Sequence, residues 1–193
     1  MNSQIQEGIT QFKEDIQRND PLVVARQMLM SNISYAFKQD EYHKLQTKIS
    51  EHFYLHPSEV ALVGSAKTGF SIAPSKRYSE FSNTSDIDIA IISSELFDEI
   101  WKSVYDFSMQ GGIIWEKGDD FKKSLFSGWI RPDYLPPSKV FSKSDDWWKF
   151  FNDLTASRLF GSYKIRAGLY KSWYFLEEYH RRNIEDCKNE IKN

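Results

Sequence analysis

The hydrophobic positions in the first third of the chain repeat at the spacing of helices. Asp20-Pro21 is a typical helix start, because an Asp side chain caps a helix well and Pro suits the first helical position. A second helix is predicted over about 40–53, and Pro57 ends this helical part. The apolar residues after Pro21 recur at steps of three and four and predict one buried helical face: Leu22, Ala25, Leu29, Ile33 and Phe37.

Two short apolar runs in the middle of the chain predict strands. Residues 60–63, with the sequence VALV, are wholly apolar and are followed by Gly64-Ser65. Residues 86–92, with the sequence DIDIAII, alternate between polar and apolar positions at their start. The polar stretch over 66–84 between these two runs predicts a loop.

The second half of the chain predicts helices with one further strand. A helix with an apolar stripe is expected over 93–111, and a strand over 112–115. The three prolines in 128–137 (GWIRPDYLPP) argue against regular structure there. Further helices are expected from 144 to about 160 and from about 169 to near the C-terminus.

This order of elements predicts an α/β or α+β fold, with a small mixed sheet flanked by N-terminal and C-terminal helices. The length of 193 residues suits a single domain. We expect a helical lead-in over 1–56, a core over 57–135 and a helical part over 136–193.

Composition and charge exclude several classes of protein. The 25 Lys and Arg residues against 27 Asp and Glu leave a net charge of −2, which excludes a strongly basic nucleic-acid binder but not a local basic groove. The single cysteine, Cys187, cannot form an internal disulfide. The N-terminus lacks the pattern of a signal peptide, and no apolar run has the length of a membrane span. We therefore expect a cytoplasmic protein without membrane contact.

Two carboxylates project from one face of the second predicted strand. Alternate residues of a strand share a face, so Asp86 and Asp88 point the same way with backbones roughly 6.6 Å apart. Two carboxylates at about 5 Å repel by about 3 kcal/mol at an effective dielectric of 20, and a divalent cation relieves that repulsion. The two side chains can lean together to bridge two metal ions about 3.5–4 Å apart, the spacing of two-metal phosphoryl-transfer sites. Oxygen ligands favour Mg²⁺ (or Mn²⁺), whose remaining ligands come from water and nucleotide phosphates.

Gly64 and Ser65 suit a phosphate-binding turn at the end of the first predicted strand. Glycine lets the backbone approach a ligand closely, while the serine hydroxyl and nearby N–H groups can hold phosphate oxygens. The following loop carries three cations against one acid, a balance that suits a triphosphate: Lys67, Lys76 and Arg77 against Glu80.

Residues 60–92 resemble the signature of the DNA polymerase β-like nucleotidyltransferase superfamily, in which Gly-Ser follows one strand and Ser-Asp-Ile-Asp opens the next. The resemblance implies transfer of a nucleoside monophosphate from an NTP to an acceptor, with release of pyrophosphate. The loop over 66–84 is longer than in compact members of the family and is expected to form a lid. The resemblance implies a nucleotide-binding set and a metal-binding pair: Gly64, Ser65, Lys67 and Ser85 for the nucleotide, and Asp86 and Asp88 for the metal.

The third acid of this family, expected on a later strand, is not evident. Glu116 follows the strand predicted over 112–115. Asp133 lies in the proline-rich segment, where a rigid loop can present it, and we favour Asp133 as the third catalytic acid with Asp86 and Asp88. If neither acid reaches the metal site, the general base is missing and transfer is not expected.

Three function hypotheses follow. The first is a nucleotidyltransferase whose acceptor is a small molecule, a protein hydroxyl, an RNA end or a second nucleotide. The second is a catalytically inactive nucleotide-binding or regulatory protein, such as one half of a two-protein module. The third, a helical interaction protein, requires the Asp-Ile-Asp motif to be accidental.

Basic and aromatic residues interleave over 154–176, which indicates either a core face with solvated cations or a surface for acceptor phosphates.

Overall fold

The computed structural model describes residues 3–31, 34–111 and 115–192. In these ranges the chain is mixed α+β, with a small four-stranded sheet and helices at both termini, as the sequence predicts. Short 3₁₀ turns lie at Pro57–Glu59, Pro74–Lys76 and Pro132–Tyr134. The α-helices are α1 (Ser3–Arg18), α2 (Pro21–Met30), α3 (Gln39–Phe53), α4 (Ser65–Thr68), α5 (Ser94–Met109), α6 (Gly118–Phe126), α7 (Ser142–Ala156) and α8 (Trp173–Lys192), and the strands are β1 (Val60–Val63), β2 (Ile87–Ile92), β3 (Trp129–Ile130) and β4 (Ile165–Tyr170).

The sheet has the order β1-β2-β4-β3, so β2 is a central strand. It pairs antiparallel with β1 and parallel with β4, while β3 adds antiparallel to the outer side of β4. The register places Asp88 between Val63 of β1 and Arg166 of β4. The first residues of β2 therefore meet the end of β1 and the start of β4.

The two faces of the sheet pack against different helices. Ile87, Ile89 and Ile91 lie in a core that also holds buried residues of α3, α5 and α7, including Trp147 and Phe151. On the other face, Ala90 and Ile92 pack with Ala61, Tyr170 and the α8 residue Leu176. Because side chains alternate along a strand, Asp88 shares the α8 face with Ala90 and Ile92.

The 66–84 segment is anchored at several points and is not a plain polar loop. Its first residues form α4, and Phe70 and Ile72 are buried among residues of α1, α2 and α8. Phe81 is buried in the core beneath the sheet. The backbone N–H groups of Tyr78 and Phe81 donate to Ser71 and Gly69 at 2.7 Å.

The N-terminal predictions agree with the structure in most details. Asp20 caps α2, because its Oδ1 accepts from the backbone N–H of Leu22 at 2.8 Å. Helix α2 ends at Met30, so Phe37 packs in the core from outside the helix, and Ile33 lies outside the described residues. None of the described helices combines the length and the apolar character that crossing a membrane requires.

The C-terminal half differs most from the prediction. Residues 165–170 form β4 and α8 begins at Trp173, whereas the sequence predicts a helix from about Leu169. β4 pairs with β2 along its whole length and with β3 at Leu169 and Tyr170, which satisfies backbone groups in a way that no local pattern reveals. The proline-rich segment contains β3 and a 3₁₀ turn, and α7 begins at Ser142. Of the strand predicted over 112–115, residues 112–114 lie outside the described residues.

Candidate functional site

A cavity of about 380 Å³ lies on the α8 face of the sheet, bounded by the 66–84 segment and by α8 itself. It collects most of the predicted site residues, although they come from three separate parts of the chain. Those lining it are Gly64, Ser65, Ser85, Asp86, Asp88 and Asp133.

Gly64 ends β1 in a conformation that requires glycine. Its φ of 67° and ψ of −158° fall in a region that residues with a Cβ hardly adopt. A Cβ at this position would lie 2.9 Å from Oδ2 of Asp88. The absence of a side chain at Gly64 thus lets the turn at Gly64-Ser65 approach the Asp88 carboxylate.

Asp88 is the most perturbed carboxylate of the cavity. Its side chain opens to the cavity, yet surrounding protein atoms displace much of its hydration. This loss of hydration, followed by repulsion from Asp86, raises the pKa of Asp88 to about 6. The positive charges of Lys76 and Arg166 oppose that shift. Two acids and two cations therefore interact at the start of β2.

Arg166 lies beside Asp88 on the neighbouring strand. Its Nε is 3.0 Å from Oδ2 of Asp86, which makes an ion pair. The Nε–H is shielded from solvent and is not aligned for a hydrogen bond to any described residue. In the sequence, Arg166 stands out only as part of the basic and aromatic stretch over 154–176, because no local pattern predicts β4.

Lys67 is not brought to this cavity. Its side chain is buried, and Nζ donates to the backbone oxygen of Ser31 at 2.8 Å. Burial lowers the pKa of Lys67. It lines a second cavity, of about 300 Å³, beside α2, α3 and β1. Lys76, at the end of a 3₁₀ turn, is the lysine of the 66–84 segment that faces the carboxylates.

The two candidates for the third acid lie in different places. Asp133 lines the same cavity as Asp86 and Asp88, and its Oδ2 is 3.5 Å from Nη2 of Arg131. Glu116 lines a separate cavity beside α6. The described residues hold no group of three His, Cys, Asp or Glu side chains arranged to bind a metal ion. Neither β3 nor β4 carries an acid in the part of the chain that the structure describes.

Aromatic residues form the wall beyond Arg166. The rings of Trp129 and Tyr170 stack at 5.5 Å, and Tyr179 tilts against both. Arg131 lies over the Trp129 ring, with its guanidinium carbon 5.1 Å from the ring centre. Tyr170 belongs to the basic and aromatic stretch over 154–176, whereas no sequence pattern singles out Trp129, which reaches this wall because β3 pairs with β4.

His180 extends the wall as a neutral acceptor. Its Nδ1 lies 3.0 Å from the backbone oxygen of Leu176, so Nδ1 carries the proton and Nε2 accepts. Burial is the main cause that lowers the pKa of His180 to about 4.

The side chains of Asp86 and Asp88 fit a single Mg²⁺ ion. Mg²⁺ sites in proteins commonly use one or two carboxylates and complete the octahedron with water and phosphate oxygens. Asp86 and Asp88 supply two such carboxylates, and the repulsion that contributes to the raised pKa of Asp88 is the energy a cation would relieve. Among the described residues no third His, Cys, Asp or Glu joins this pair in a group arranged to hold a metal, so a second ion would have to share the same two carboxylates.

Comparisons of the chain with models of protein families, with curated proteins and with solved structures found no significant match.

Proposed function

We propose that this protein is a metal-dependent nucleotidyltransferase, which moves a nucleoside monophosphate from an NTP to an acceptor and releases pyrophosphate. The observation that carries the proposal is the contact between the Gly-Ser turn and the paired acids. Gly64 and Asp88 are so close that a Cβ on Gly64 would collide with the carboxylate. A phosphate held by the turn would therefore lie next to a metal held by Asp86 and Asp88.

Several residues of the cavity could bind the nucleotide and its metal ion. Ser65 and Ser85 offer hydroxyl donors to phosphate oxygens, and Lys76 offers a positive charge. Asp86 and Asp88 would hold Mg²⁺, which would neutralise phosphate charge when bound.

In the proposed reaction, an acceptor hydroxyl forms a bond to the α-phosphorus while the bond to the β-phosphate oxygen breaks. The electron pair of that bond leaves with pyrophosphate. Asp133, which lines this cavity and which we favoured from sequence as the third acid, would orient the hydroxyl and take its proton. Most of the rate enhancement in such a site comes from positioning and charge neutralisation.

The alternative function is nucleotide binding without transfer, in a regulatory protein or in one half of a two-protein module. It is favoured by the basic Arg166 at the strand position beside Asp88, where an acid would complete a three-carboxylate site. In that case the protein would bind an NTP with Mg²⁺ and return it unchanged.

Incubation with each NTP, labelled in turn on the α- and the γ-phosphate, with Mg²⁺ and cell extract tests the proposal. We expect α-label but not γ-label to move to an acceptor, and we expect the double variant Asp86→Asn, Asp88→Asn to lose this transfer. Asp106→Asn, on the exposed surface of α5, is the matched control and should transfer normally. Transfer at the wild-type rate by the double variant would show that the site is wrong. Binding without transfer by the wild type would support the alternative.

A further inference from the structure

Arg166 is held in place by the strand that carries it. On β4 it lies directly beside Asp88 of β2, and the two strands are parallel. The strand is secured just before Arg166, because the N–H of Ile87 donates to Lys164 at 2.8 Å and that of Ile165 donates to Thr155 at 3.0 Å. The backbone of Arg166 is therefore held in the sheet directly beside that of the proposed metal ligand Asp88.

The side chain of Arg166 is less constrained than its backbone. Its ion pair with Asp86 is made by Nε, and 41% of the side chain is exposed. The Nε–H has no aligned acceptor among the described residues, so the present arrangement leaves this donor unsatisfied. A guanidinium has five N–H donors in a planar fork, a shape that matches phosphate oxygens. An incoming phosphate would satisfy donors that Asp86 leaves free.

A positive charge beside Asp88 suits a cavity that would hold both carboxylates and phosphates. In a site with two metal ions, the second ion neutralises phosphate charge beside the paired carboxylates. Among the described residues, no third acid joins Asp86 and Asp88 in a group arranged to hold a metal ion, and a fixed positive charge lies next to Asp88 instead. Arginine keeps its charge at every physiological pH and stabilises transferring phosphoryl groups in other enzymes.

We infer that Arg166 takes the place of a second metal ion: it pairs with Asp86 when the cavity is empty and turns to the phosphates when a nucleotide binds, so the site holds one divalent ion. This inference rests on the proposed function, because it assigns a role within the same site. It has two consequences. Arg166 competes with a metal ion for Asp86 before the nucleotide binds, and it contributes to nucleotide affinity afterwards.

Counting bound Mn²⁺ by electron paramagnetic resonance tests the first part directly, with an α,β-methylene NTP as an unreactive nucleotide. We expect one Mn²⁺ per chain at saturation. For Arg166→Gln we expect Mn²⁺ to bind at least about fivefold more tightly without nucleotide, because Asp86 loses its competitor. The same variant should bind the analogue with Mn²⁺ at least about tenfold more weakly, because a phosphate contact is lost.

Two further variants keep the test decisive. Arg166→Lys retains the charge without the planar fork, so its affinities for Mn²⁺ and for the analogue should fall between those of the wild type and of Arg166→Gln. If the glutamine variant folds poorly, the comparison of the lysine variant with the wild type still tests the inference. Arg182→Gln, on the exposed side of α8, is the matched control for the loss of one positive charge and should match the wild type.

Two Mn²⁺ ions per chain in a protein that transfers nucleotide would overturn this inference and leave the proposed function standing. So would unchanged affinities in Arg166→Gln. If the wild type binds no nucleotide with Mn²⁺, the proposed function fails and the inference fails with it.

Discussion

Asp88 is surrounded by three elements that were far apart in the unfolded chain. Gly64 approaches it from the end of β1, Arg166 lies beside it on β4, and Lys76 reaches it from the 66–84 segment. Its backbone position was evident from the alternation of the Asp-Ile-Asp motif. The electrostatic state of its carboxylate depends on the neighbours, which no local pattern reveals.

The raised pKa of Asp88 predicts a stability effect of defined sign. The folded-state pKa of about 6 exceeds the ordinary value of 3.8, so the folded protein binds more protons between these values and loses stability as the pH rises through them. With metal removed by EDTA, Asp88→Asn should be more stable than the wild type at pH 7.5. Because the side chain is open to solvent, we expect a gain on the order of 1 kcal/mol in the free energy of unfolding.

Urea denaturation at pH 7.5 and pH 4.5 measures this difference. The gain should shrink at pH 4.5, where Asp88 of the wild type is largely protonated. A variant that is less stable than the wild type at pH 7.5, or a gain that does not change with pH, would contradict the assigned repulsion.

At the scale of elements, the 66–84 segment and β4 depart furthest from expectation. The polar composition of the segment predicts a loop and its length predicts a lid, yet Phe70, Ile72 and Phe81 anchor it in two different cores. Three aromatic or aliphatic residues among many polar ones do not form a periodic pattern, so their burial is visible only in the folded protein. If part of this segment moves on nucleotide binding, the tip near Pro74–Lys76 is the part that can do so without breaking a core contact.

Hydrogen exchange distinguishes an anchored segment from a mobile lid. Without nucleotide, the amides of Gly69, Tyr78 and Phe81 should exchange slowly, because they donate to backbone oxygens at 2.7–2.8 Å. An unreactive NTP analogue with Mg²⁺ should add protection mainly at residues 73–77. Fast exchange at all three amides without nucleotide would favour the lid that the sequence predicts.

Gly128, just before β3, is required by both its backbone and its surroundings. Its φ is +65°, and a Cβ would lie 2.2 Å from the ring of Phe175 on α8. Gly128→Ala should therefore destabilise the protein by about 2–4 kcal/mol, through overpacking and backbone strain together.

Gly111 provides the matched control, because its φ is +68° and, chain neighbours apart, no atom of the described residues lies within 4 Å of the position of a Cβ. Gly111→Ala should lower the free energy of unfolding by only about 1 kcal/mol, because it adds backbone strain without overpacking. Thermal denaturation of both variants gives the comparison. Equal losses would mean that the close approach of α8 to β3 does not exist in solution.

At the scale of the whole molecule, α8 connects the cores and the cavity. Leu176 packs against the sheet, Ile184 and Cys187 pack among α1 and α2, and His180 lines the cavity between them. The same helix thus joins the N-terminal helices to the sheet. We expect the sheet and the helical layers to unfold together.

Ile184→Ala tests this connection, since Ile184 is fully buried. The substitution should lower the free energy of unfolding by about 2–5 kcal/mol. Unfolding should remain a single transition, with coincident curves by circular dichroism and tryptophan fluorescence. Two separated transitions would show that the N-terminal helices fold independently of the sheet.

The sequence by itself determined the elements whose signals are local. The cap at Asp20, the apolar strand at Val60–Val63 and the alternation in β2 each depend on neighbouring residues and backbone periodicity, and all three elements lie where the pattern predicts them. The motif also indicated in advance that Gly64 and Asp88 belong to one site, which the structure brings into contact.

Tertiary structure alone decided which side chains complete that site. Residues 165–170 lack a strong strand pattern, and they form a strand because β2 offers hydrogen-bonding partners along their whole length and β3 offers them at Leu169 and Tyr170. That pairing brings Arg166 to Asp86. Packing likewise turned Lys67 into the interior and left Lys76 facing the acids. Such outcomes depend on contacts between residues distant in the chain, which local propensity and spacing do not encode.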